Sequence, residues 1–404
     1  MPALLEVGIT HRNAPLAMRE RLTFPPARAA ALLRGLVASG DVDEAVVVST
    51  CNRTELYVAA ADPPAAERAA LRALARRAGL SSAALRPWVS RHDGLAAVRH
   101  LFEVAAGLQS MILGEAQILG QLRRAHELAR AEGACGPVLD RLLRDAVGAG
   151  RRARAATGIG RSGVSVSSAA VELARATLGS LADRRVLLVG AGESSELTAR
   201  ALAGHGVRVV HVANRGHERA VALARRYGAA VPFAALEDEL VRADLVLSAT
   251  ASADAVIDRD AVARAMARRG GRRLVLFDLA VPRDVDAAVR SIPGVTLLDL
   301  DDIERRIAAN RSARRRELEP ARAVVRAEAE RFERWRAARE AAPTVAALQG
   351  AGEAIVRDLL AANAPHWEAL TAADRARVEA MARAVARRLL HAPTLALRAA
   401  AQDG

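Results

Sequence analysis

The stretch Val186-Leu187-Leu188-Val189-Gly190-Ala191-Gly192-Glu193-Ser194-Ser195 decides the fold class of this 404-residue chain. A short, wholly apolar segment leads into a glycine-rich turn, and residues with helical spacing follow to about position 204. The apolar segment 207–212 comes next, and segments 245–247 and 274–277 repeat the pattern. Strands that alternate with helices in this way indicate a parallel, doubly wound sheet.

The glycine-rich turn predicts a dinucleotide site. Gly190 and Gly192 allow a tight turn and the close approach of a pyrophosphate to the N-terminus of the following helix. Ser195 takes the place of the third glycine of the usual pattern, which weakens the expected packing of this helix on the strand. The predicted cofactor-binding residues of the turn are Gly190, Ala191, Gly192, Glu193, Ser194 and Ser195.

The end of the second strand indicates which dinucleotide binds. Sites for NAD usually carry an acidic residue there that holds the ribose 2′-hydroxyl, whereas this chain has Asn214 and Arg215. An arginine at this point suits the 2′-phosphate of NADP. The sequence therefore favours NADPH, although arginine is so frequent here that Arg215 could equally be an ordinary surface residue.

The segments that flank the nucleotide-binding region predict two further parts. The first 60 or so residues alternate strand-like and helical patterns, and residues 94–181 are almost wholly helical. After residue 299 no strand pattern follows, and residues 301–341 form one arginine- and glutamate-rich helical stretch that Pro320 should kink or interrupt. Residues 344–363 and 374–390 predict two more amphipathic helices. Such a tail is typical of a dimerisation domain, and a merely helical appendage is the alternative.

The composition excludes some classes of function. The chain contains no lysine, so all 59 basic residues are arginine, and the net charge is +13. Without lysine there is no Schiff-base enzyme and no P-loop nucleotidase. The positive charge is spread along the chain, so it would attract a polyanion such as tRNA without selecting a face. No apolar run is long enough to cross a membrane, and we expect a cytoplasmic protein without membrane contact.

Cys51 is the candidate nucleophile. Cys51 and Cys135 are the only cysteines, so the sequence predicts neither a disulfide framework nor a metal site. Cys51 lies in the polar run Ser49-Thr50-Cys51-Asn52-Arg53-Thr54-Glu55, where Arg53 would favour the thiolate. A buried, inert cysteine is the alternative, and it is our interpretation of Cys135.

A thiol and a nicotinamide cofactor together suggest a reaction. Attack of the thiolate on an activated acyl group gives a thioester, whose carbonyl accepts hydride more readily than that of an ester. The thiolate then leaves and an aldehyde remains. This chemistry needs no metal.

Several motifs together resemble one family. They are Val7–Pro15 with Arg19–Leu22, Ser49–Glu55, His100–Met111 continuing to Gln121, Gly158–Glu172, Gly190–Glu193, Asp278–Asp284 and Leu389–Thr394. This set is similar to that of the glutamyl-tRNA reductases, which begin five-carbon tetrapyrrole synthesis. The resemblance covers nearly the whole chain, and its N-terminal motifs are highly specific.

The resemblance implies roles for individual residues. Cys51 would take the glutamyl group from tRNA as a thioester, and His100 would donate a proton or position a reactant. The glutamyl group would be bound by Thr50, Asn52, Arg53, Ser110, Glu115, Gln117 and Gln121. Arg53 would suit a carboxylate of the substrate. Between Glu115 and Gln117 the family usually has proline, and Ala116 stands here.

The resemblance also implies the architecture, an α/β multidomain protein. Its parts would be an α/β N-terminal catalytic, glutamyl-tRNA-binding domain, a Rossmann-type NADPH-binding domain, a long connecting helix and an all-helical dimerisation domain. The predicted boundaries are 1–155, 156–299, 300–341 and 342–404.

The expected activity is the NADPH-dependent reduction of glutamyl-tRNA(Glu) to glutamate-1-semialdehyde by a homodimer. Glutamate-1-semialdehyde aminotransferase is a candidate partner, because the aldehyde is reactive. Two alternatives stay open. One is an NADP-dependent dehydrogenase of a small hydroxy acid such as shikimate, and the other is a non-catalytic relative that binds tRNA.

Overall fold

The computed structural model of the chain describes residues 2–160, 165–308, 316–367 and 369–403. The chain divides into two compact units, with the boundary between Arg326 and Ala327. The first unit holds two α/β regions, and the second is helical. The predicted α/β multidomain class is thereby confirmed.

The first α/β region is built on an antiparallel sheet with the strand order β2-β3-β1-β4. Its elements are β1 (Ala3–Thr10), α1 (Leu16–Arg21), α2 (Pro26–Ala38), β2 (Glu44–Ser49), β3 (Arg53–Ala60), α3 (Pro63–Ala78), α4 (Ser82–Leu85), β4 (Ser90–Asp93), α5 (Gly94–Ala105), α6 (Gln117–Ala131) and α7 (Pro137–Ala156). Strand β3 is buried along its whole length, so polar side chains on it lie inside the protein.

Local sequence signals set the ends of these helices. Pro26 occupies the first turn of α2, where the missing N–H has no partner to lose. The side chain of Asp62 accepts a hydrogen bond from the backbone N–H of Ala65 at the start of α3. That helix ends at Gly79, whose φ of 64° is left-handed and favours glycine.

The second α/β region contains a parallel sheet with the strand order β10-β9-β8-β5-β6-β7. Its elements are α8 (Val166–Leu178), β5 (Val186–Val189), α9 (Glu193–Gly204), β6 (Val210–Ala213), α10 (His217–Tyr227), β7 (Gly228–Val231), α11 (Leu236–Arg242), β8 (Leu245–Ser248), α12 (Arg259–Ala267), β9 (Leu274–Asp278), β10 (Val295–Leu298) and α13 (Leu300–Ala308). The predicted doubly wound sheet is confirmed. The order of the strands reverses between β5 and β8, because the chain adds β6 and β7 on one side of β5 and β8, β9 and β10 on the other, and ligands of such sheets bind at the carboxyl ends of the strands beside this switch point.

Strands β7 and β10 were not predicted. They are the two edge strands, each four residues long, and β7 is half-exposed or exposed throughout. Edge strands contribute little apolar surface, so their sequences lack the buried run that identifies β5, β8 and β9.

Two long helices follow, α14 (Leu318–Asn363) and α15 (Ala372–Asp403). The stretch 301–341 is divided between α13 and α14, so the expected interruption is found: Pro320 lies in the first turn of α14, directly after the turn at residues 316–317, and does not kink a helix interior. The helix also continues through Pro343 to Asn363, so residues 344–363 are not a separate helix. Part of the stretch predicted over 301–341, residues 309–315, lies outside the described residues. In the described part of the chain, no helix is both long and apolar enough to span a bilayer.

One hydrophobic cluster joins the two α/β regions. It contains Leu16, Met111 and Ile112 from the first region together with buried residues of the parallel sheet, among them Leu188. Cys51 and Ala191, which is part of the glycine-rich turn, pack against the same cluster. The candidate nucleophile and the nucleotide-binding turn therefore pack against one shared core.

Candidate active site

Cys51 lies in the tight connection between β2 and β3. The N–H of Thr50 donates to the carbonyl oxygen of Arg53 at 2.8 Å, and the N–H of Asn52 donates to Oγ1 of Thr50 at 3.1 Å. The N–H of His11 donates to the carbonyl oxygen of Asn52 at 2.8 Å. These bonds fix the backbone of the loop, and the half-buried Cys51 thiol lies within it.

The surroundings of Cys51 favour the protonated thiol. Burial, with a further contribution from the charge of Glu115, raises the pKa of Cys51 to about 12, while the charges of Arg19 and Arg53 act in the opposite direction. The predicted influence of Arg53 on the thiolate is correct in direction, but burial and Glu115 outweigh it. A nucleophilic Cys51 therefore needs a group that accepts its proton.

Arg53 has partners within the protein. Its Nη1 donates to Oε1 of Glu55 at 2.8 Å, its Nη2 donates to the carbonyl oxygen of Gln109 at 2.6 Å, and its side chain is buried. The guanidinium thus joins the start of β3 to the loop 106–116. The predicted partner of Arg53 was a carboxylate of the substrate. In the structure, Glu55 already supplies a carboxylate to this guanidinium.

Glu55 is the centre of a buried polar network that the sequence did not reveal. Arg53, Glu55 and Tyr57 alternate along β3 and so share one face of the sheet. Oε2 of Glu55 accepts a hydrogen bond from the hydroxyl of Tyr57 at 2.7 Å, and Oε1 lies 3.0 Å from Nε2 of His100. Gly8 is paired with Glu55 on β1, and a Cβ there would lie 2.8 Å from Cγ of Glu55. Gly8 therefore makes room for the carboxylate.

The network favours a protonated His100. Burial would raise the pKa of Glu55, but the charges of Arg53 and His100 lower it to about 2. For His100 burial acts to lower the pKa, and the neighbouring Glu55 carboxylate raises it overall. The role of proton donor or positioning group stays a prediction. In the described contacts His100 reaches the Cys51 loop only through Glu55 and Arg53.

The loop 106–116 holds further predicted substrate-binding residues. Ser110 and Glu115 are buried in it, while Gln117 and Gln121 are half-buried on the first turns of α6. Burial raises the pKa of Glu115 to about 7, although a hydrogen bond from the N–H of Val166 opposes the shift. Glu115 can therefore exchange a proton near neutral pH.

Gly114 and Ala116 set the path of this loop. Gly114 has a φ of 79°, and a Cβ there would lie 2.0 Å from the carbonyl oxygen of Ile159. Ala116, where the resembling family usually has proline, has a φ of −81°, close to the value that a proline ring imposes. The replacement is thus compatible with the same backbone.

The glycine-rich turn fits a dinucleotide. Gly190 has a φ of 110°, and a Cβ there would lie 2.5 Å from the carbonyl oxygen of Ala249. A Cβ on Gly192 would meet no atom within 4 Å, so this glycine leaves open space in front of the N-terminus of α9 for a pyrophosphate. Ser195 is buried, and its hydroxyl donates to the same carbonyl of Ala249 at 3.3 Å. The expected weakening of helix–strand packing is therefore offset by a hydrogen bond.

The other predicted nucleotide-binding residues lie around this turn. Glu193 begins α9, and the carbonyl oxygen of Ser194 accepts a hydrogen bond from the hydroxyl of Ser167 at 3.1 Å. After β6, Nδ2 of Asn214 donates to the carbonyl oxygen of Gly216 at 2.8 Å. Arg215 is exposed at the carboxyl end of the same strand. No described contact joins Asn214 or Arg215 to the Cys51 loop.

Two buried aspartates, for which the sequence predicted no role, hold the loop after β9. Asp284 accepts hydrogen bonds from the hydroxyl of Ser248 at 2.6 Å and from the N–H of Thr250 at 2.7 Å. Asp278 accepts a hydrogen bond from the N–H of Val285 at 2.9 Å, and burial raises the pKa of Asp278 to about 7. Both lie in the quoted run Asp278–Asp284, and together they fix the loop after β9 against the end of β8.

Among the described residues, two groups bring possible metal-ligand atoms within 4.8 Å of one another: Glu6, His92 and His100, and His126, Cys135 and Asp140. The rings of His92 and His100 stack at 4.3 Å with an interplanar angle of 11°, and their nitrogens already have carboxylate partners, Oε2 of Glu6 at 2.6 Å from Nδ1 of His92 and Oε1 of Glu55 at 3.0 Å from Nε2 of His100. Asp140 already pairs with His126 at 2.9 Å and with Arg144 at 2.6 Å. No metal role is assigned to either group.

Three family profiles match successive parts of the chain. The N-terminal domain of glutamyl-tRNA(Glu) reductase matches residues 7–157, and its dimerisation domain matches residues 320–404. The shikimate/quinate 5-dehydrogenase profile matches residues 172–306, which contain the parallel sheet.

Full-length relatives agree with these profiles. The chain is 40% identical over 400 residues to the glutamyl-tRNA reductase of Syntrophotalea carbinolica, covering 99% of this chain and 90% of the relative. It is 42% identical over 405 residues to that of Moorella thermoacetica, covering 98% and 91%. The solved glutamyl-tRNA reductase from Methanopyrus kandleri is 33% identical with a TM-score of 0.50, and the match covers 100% of both chains.

Proposed function

The chain belongs to the glutamyl-tRNA reductase family, and on that premise we propose that it reduces glutamyl-tRNA(Glu) to glutamate-1-semialdehyde with NADPH. The resemblance predicted from the motifs is confirmed, and the protein is an oxidoreductase with a fold for a nicotinamide cofactor. One observation carries the mechanism: Cys51 lies in a fixed loop that packs against the core shared with the nucleotide-binding turn. The product would enter the five-carbon route to tetrapyrroles.

In the first step the sulfur of Cys51 attacks the carbonyl carbon of the glutamyl ester. The C–O bond to the tRNA ribose breaks, the 3′-hydroxyl leaves with a proton, and a thioester on Cys51 remains. Glu115 is suited to accept the thiol proton, because its pKa is raised to about 7 and its charge acts on Cys51. We assign it that role in addition to substrate binding.

In the second step the thioester is converted to the aldehyde. NADPH, when bound at the glycine-rich turn, supplies the hydride that adds to the thioester carbonyl carbon. The C–S bond breaks, and the released thiolate of Cys51 takes up a proton. His100, held by Glu55, is placed to keep a proton within this network.

The glutamyl group would be held by the polar side chains around Cys51. Thr50 and Asn52 come from the nucleophile loop and Ser110 from the loop 106–116, while Arg53, whose Nη atoms already bind Glu55 and the carbonyl oxygen of Gln109, would act on the glutamyl group through its charge. Gln117 and Gln121 on α6 would complete the pocket.

The cofactor proposal includes a preference for NADPH over NADH. Arg215 is exposed beyond β6, where the 2′-phosphate would lie, with Asn214 beside it. Replacing Arg215 with Gln should raise KM for NADPH about ten-fold and leave KM for NADH unchanged. An equal effect on both cofactors would remove the 2′-phosphate contact from the proposal.

Two partners belong to the proposal besides tRNA. The match to a dimerisation domain and the exposed apolar side chains of α14 and α15 support a homodimer. Glutamate-1-semialdehyde aminotransferase is a candidate partner because it would consume the reactive aldehyde.

The dehydrogenase of a small hydroxy acid is retained as the second function, because the shikimate/quinate dehydrogenase profile covers residues 172–306. This alternative gives no role to Cys51 or to the polar network around Glu55. Shikimate-dependent reduction of NADP⁺ by the purified protein would support it.

The test of the proposed function is product formation from glutamyl-tRNA and NADPH. Cys51→Ser should lower the rate at least about 1000-fold, while Cys135→Ser should change it less than about two-fold. Without NADPH, radiolabelled glutamate should remain bound to Cys51. Undiminished turnover in Cys51→Ser would overturn the thioester mechanism, and tRNA binding without any product would favour the non-catalytic alternative.

A further inference from the structure

Arg19 joins the nucleophile loop to the second α/β region. Its side chain, on the short helix α1, is 2% exposed. Nη1 donates to the carbonyl oxygen of Cys51 at 2.8 Å and lies 3.4 Å from Oδ1 of Asn52. Nη2 binds Oδ1 of Asp301 on α13, and the other oxygen of Asp301 accepts the N–H of Leu16 at 3.2 Å. One guanidinium therefore contacts both the Cys51 backbone and the nucleotide-binding region.

The next residue of α1 makes a second link to that region. Oε1 of Glu20 accepts hydrogen bonds from the backbone N–H and from Nε of Arg283, both at 2.8 Å. Oε2 of Glu20 accepts Nη2 of Arg283 at 2.8 Å. Arg283 follows β9, whereas Asp301 follows β10, so α1 is held at two separate points of the parallel-sheet region. Of these two links made by α1, only that of Arg19 continues to Cys51 in the described contacts.

We propose that Arg19 is a positioning residue, which orients the Cys51 loop and couples that orientation to the docking of the nucleotide-binding region through Asp301. The inference rests on the proposed function for its meaning in catalysis. The Glu20–Arg283 pair has a narrower role: it holds the two regions together and does not act on Cys51.

The geometry gives the coupling a physical basis. A guanidinium is a rigid, planar fork, so its two Nη groups cannot move independently. If Asp301 moves away, Arg19 loses the charged partner that holds its orientation, and the Cys51 carbonyl loses a fixed donor. The loop is then free to relax, and small misplacements of a nucleophile are costly in rate. Arg19 also acts on reactivity directly, because its positive charge lowers the pKa of the Cys51 thiol.

The first measurement is the alkylation rate of Cys51 by iodoacetamide at pH 8, in a Cys135→Ser background. We expect Arg19→Gln to slow alkylation about ten-fold, because the positive charge is lost. Arg19→Lys should restore most of the rate. Arg21→Gln, which removes an exposed charge from the same helix, is the matched control and should leave the rate unchanged. Equal rates in Arg19→Gln and Arg21→Gln would overturn the direct effect of Arg19 on the reactivity of Cys51.

The second measurement is amide hydrogen exchange of the peptide that contains residues 49–54. Asp301→Asn should increase the exchange of this peptide at least about three-fold, although the substitution lies far along the chain. Glu20→Gln should leave exchange in this peptide unchanged, because Glu20 does not contact the loop. No change in Asp301→Asn would overturn the coupling. Both measurements work even if the wild type never accepts a glutamyl group, so they are independent of the proposed function.

The third measurement separates acylation from reduction in single-turnover experiments with labelled glutamyl-tRNA. Glu20→Gln should acylate Cys51 within about two-fold of wild type but reduce the thioester about ten-fold more slowly, whereas Asp301→Asn should be slow in both steps because the nucleophile loop loses its fixed orientation. Arg19→Gln should be slow in both steps. If Arg19 had a merely structural role, the rates of acylation and of reduction would fall by the same factor in all three variants. Absence of acylation in the wild type would instead count against the proposed function.

Discussion

At the scale of single residues, the site depends on charges that are buried in pairs. Glu55 has no exposed side-chain surface and Arg53 has 2%, so each depends on the other to offset the loss of water. Tyr57 and His100 complete the hydrogen bonding of the Glu55 carboxylate. Such a network holds the start of β3, and with it the Cys51 loop, in one arrangement.

Replacing Glu55 with Gln should lower the free energy of unfolding by about 3–5 kcal/mol at pH 7, because a buried Arg53 is left without its counter-charge. The folded-state pKa of Glu55, about 2, is depressed from 4.5, so its contribution is complete above pH 4.5 and is lost as the pH falls toward 2. Urea unfolding should show the difference between wild type and variant shrinking over that range. Glu237→Gln, which breaks an exposed pair, is the control and should have little effect. A difference that grows on acidification would contradict the assignment.

Replacing Glu115 with Gln should make Cys51 react faster with an alkylating agent and more slowly with glutamyl-tRNA. The negative charge of Glu115 raises the thiol pKa, so the variant should be alkylated about ten-fold faster at pH 9. Acylation by glutamyl-tRNA should become slower, because the proton acceptor is missing. Glu193→Gln is the control, since Glu193 acts on Glu115 but is not among the charges that shift Cys51. Faster acylation in Glu115→Gln would exclude Glu115 as the base.

At the scale of secondary-structure elements, the turn after β5 shows why two glycines have different tasks. Gly190 adopts a left-handed φ beneath the carbonyl of Ala249, so its role is in the fold itself. Gly192 has ordinary extended backbone and faces open space, so its role is to keep that space free for a ligand. Ser195 then binds α9 to the end of β8 through its hydroxyl.

Alanine substitutions should separate these tasks. Gly190→Ala should destabilise the protein by about 1–3 kcal/mol, because the new Cβ is strained and clashes with Ala249. Gly192→Ala should melt like the wild type but bind NADPH at least about ten-fold more weakly, since its Cβ occupies the space of the pyrophosphate. Thermal unfolding and a fluorescence titration with NADPH measure the two effects. Normal cofactor binding by Gly192→Ala would mean that the pyrophosphate lies elsewhere.

The sequence was informative where interactions are local and uninformative where they are distant. The apolar runs of β5, β8 and β9 and the glycines after β5 identify the parallel sheet, because period and turn chemistry are local properties. The role of Arg19 depends on partners 32 and 282 positions away, and no local pattern encodes such contacts. Glu55 is an intermediate case. The sequence shows polar residues that alternate along a strand, but the burial of their side chains depends on Gly8 and α5, which are distant in sequence.

At the scale of the whole molecule, the last two helices expose apolar surface that no other described residue of the second unit covers. Within the second unit, α14 and α15 present large apolar side chains that are at least half exposed: Ile355, Leu359, Met381, Val385, Leu389 and Leu395. All of these except Leu395 line a groove whose walls are almost entirely apolar. An exposed patch of this kind marks an interaction site, and the match to a dimerisation domain indicates a second copy as its occupant.

Val385→Asp combined with Leu389→Asp should therefore convert the proposed dimer into monomers. A charge placed in an apolar interface loses its water without gaining a partner, which costs several kcal/mol for each copy. Light scattering coupled to size exclusion should give about twice the chain mass of 42.6 kDa for the wild type and the single-chain mass for the variant. Arg388→Glu, an exposed charge reversal on the same helix, is the matched control and should remain dimeric. The isolated monomer should still form the thioester, because every residue proposed for that step lies in the first unit. Loss of acylation in a folded monomer would show that the second copy completes the site.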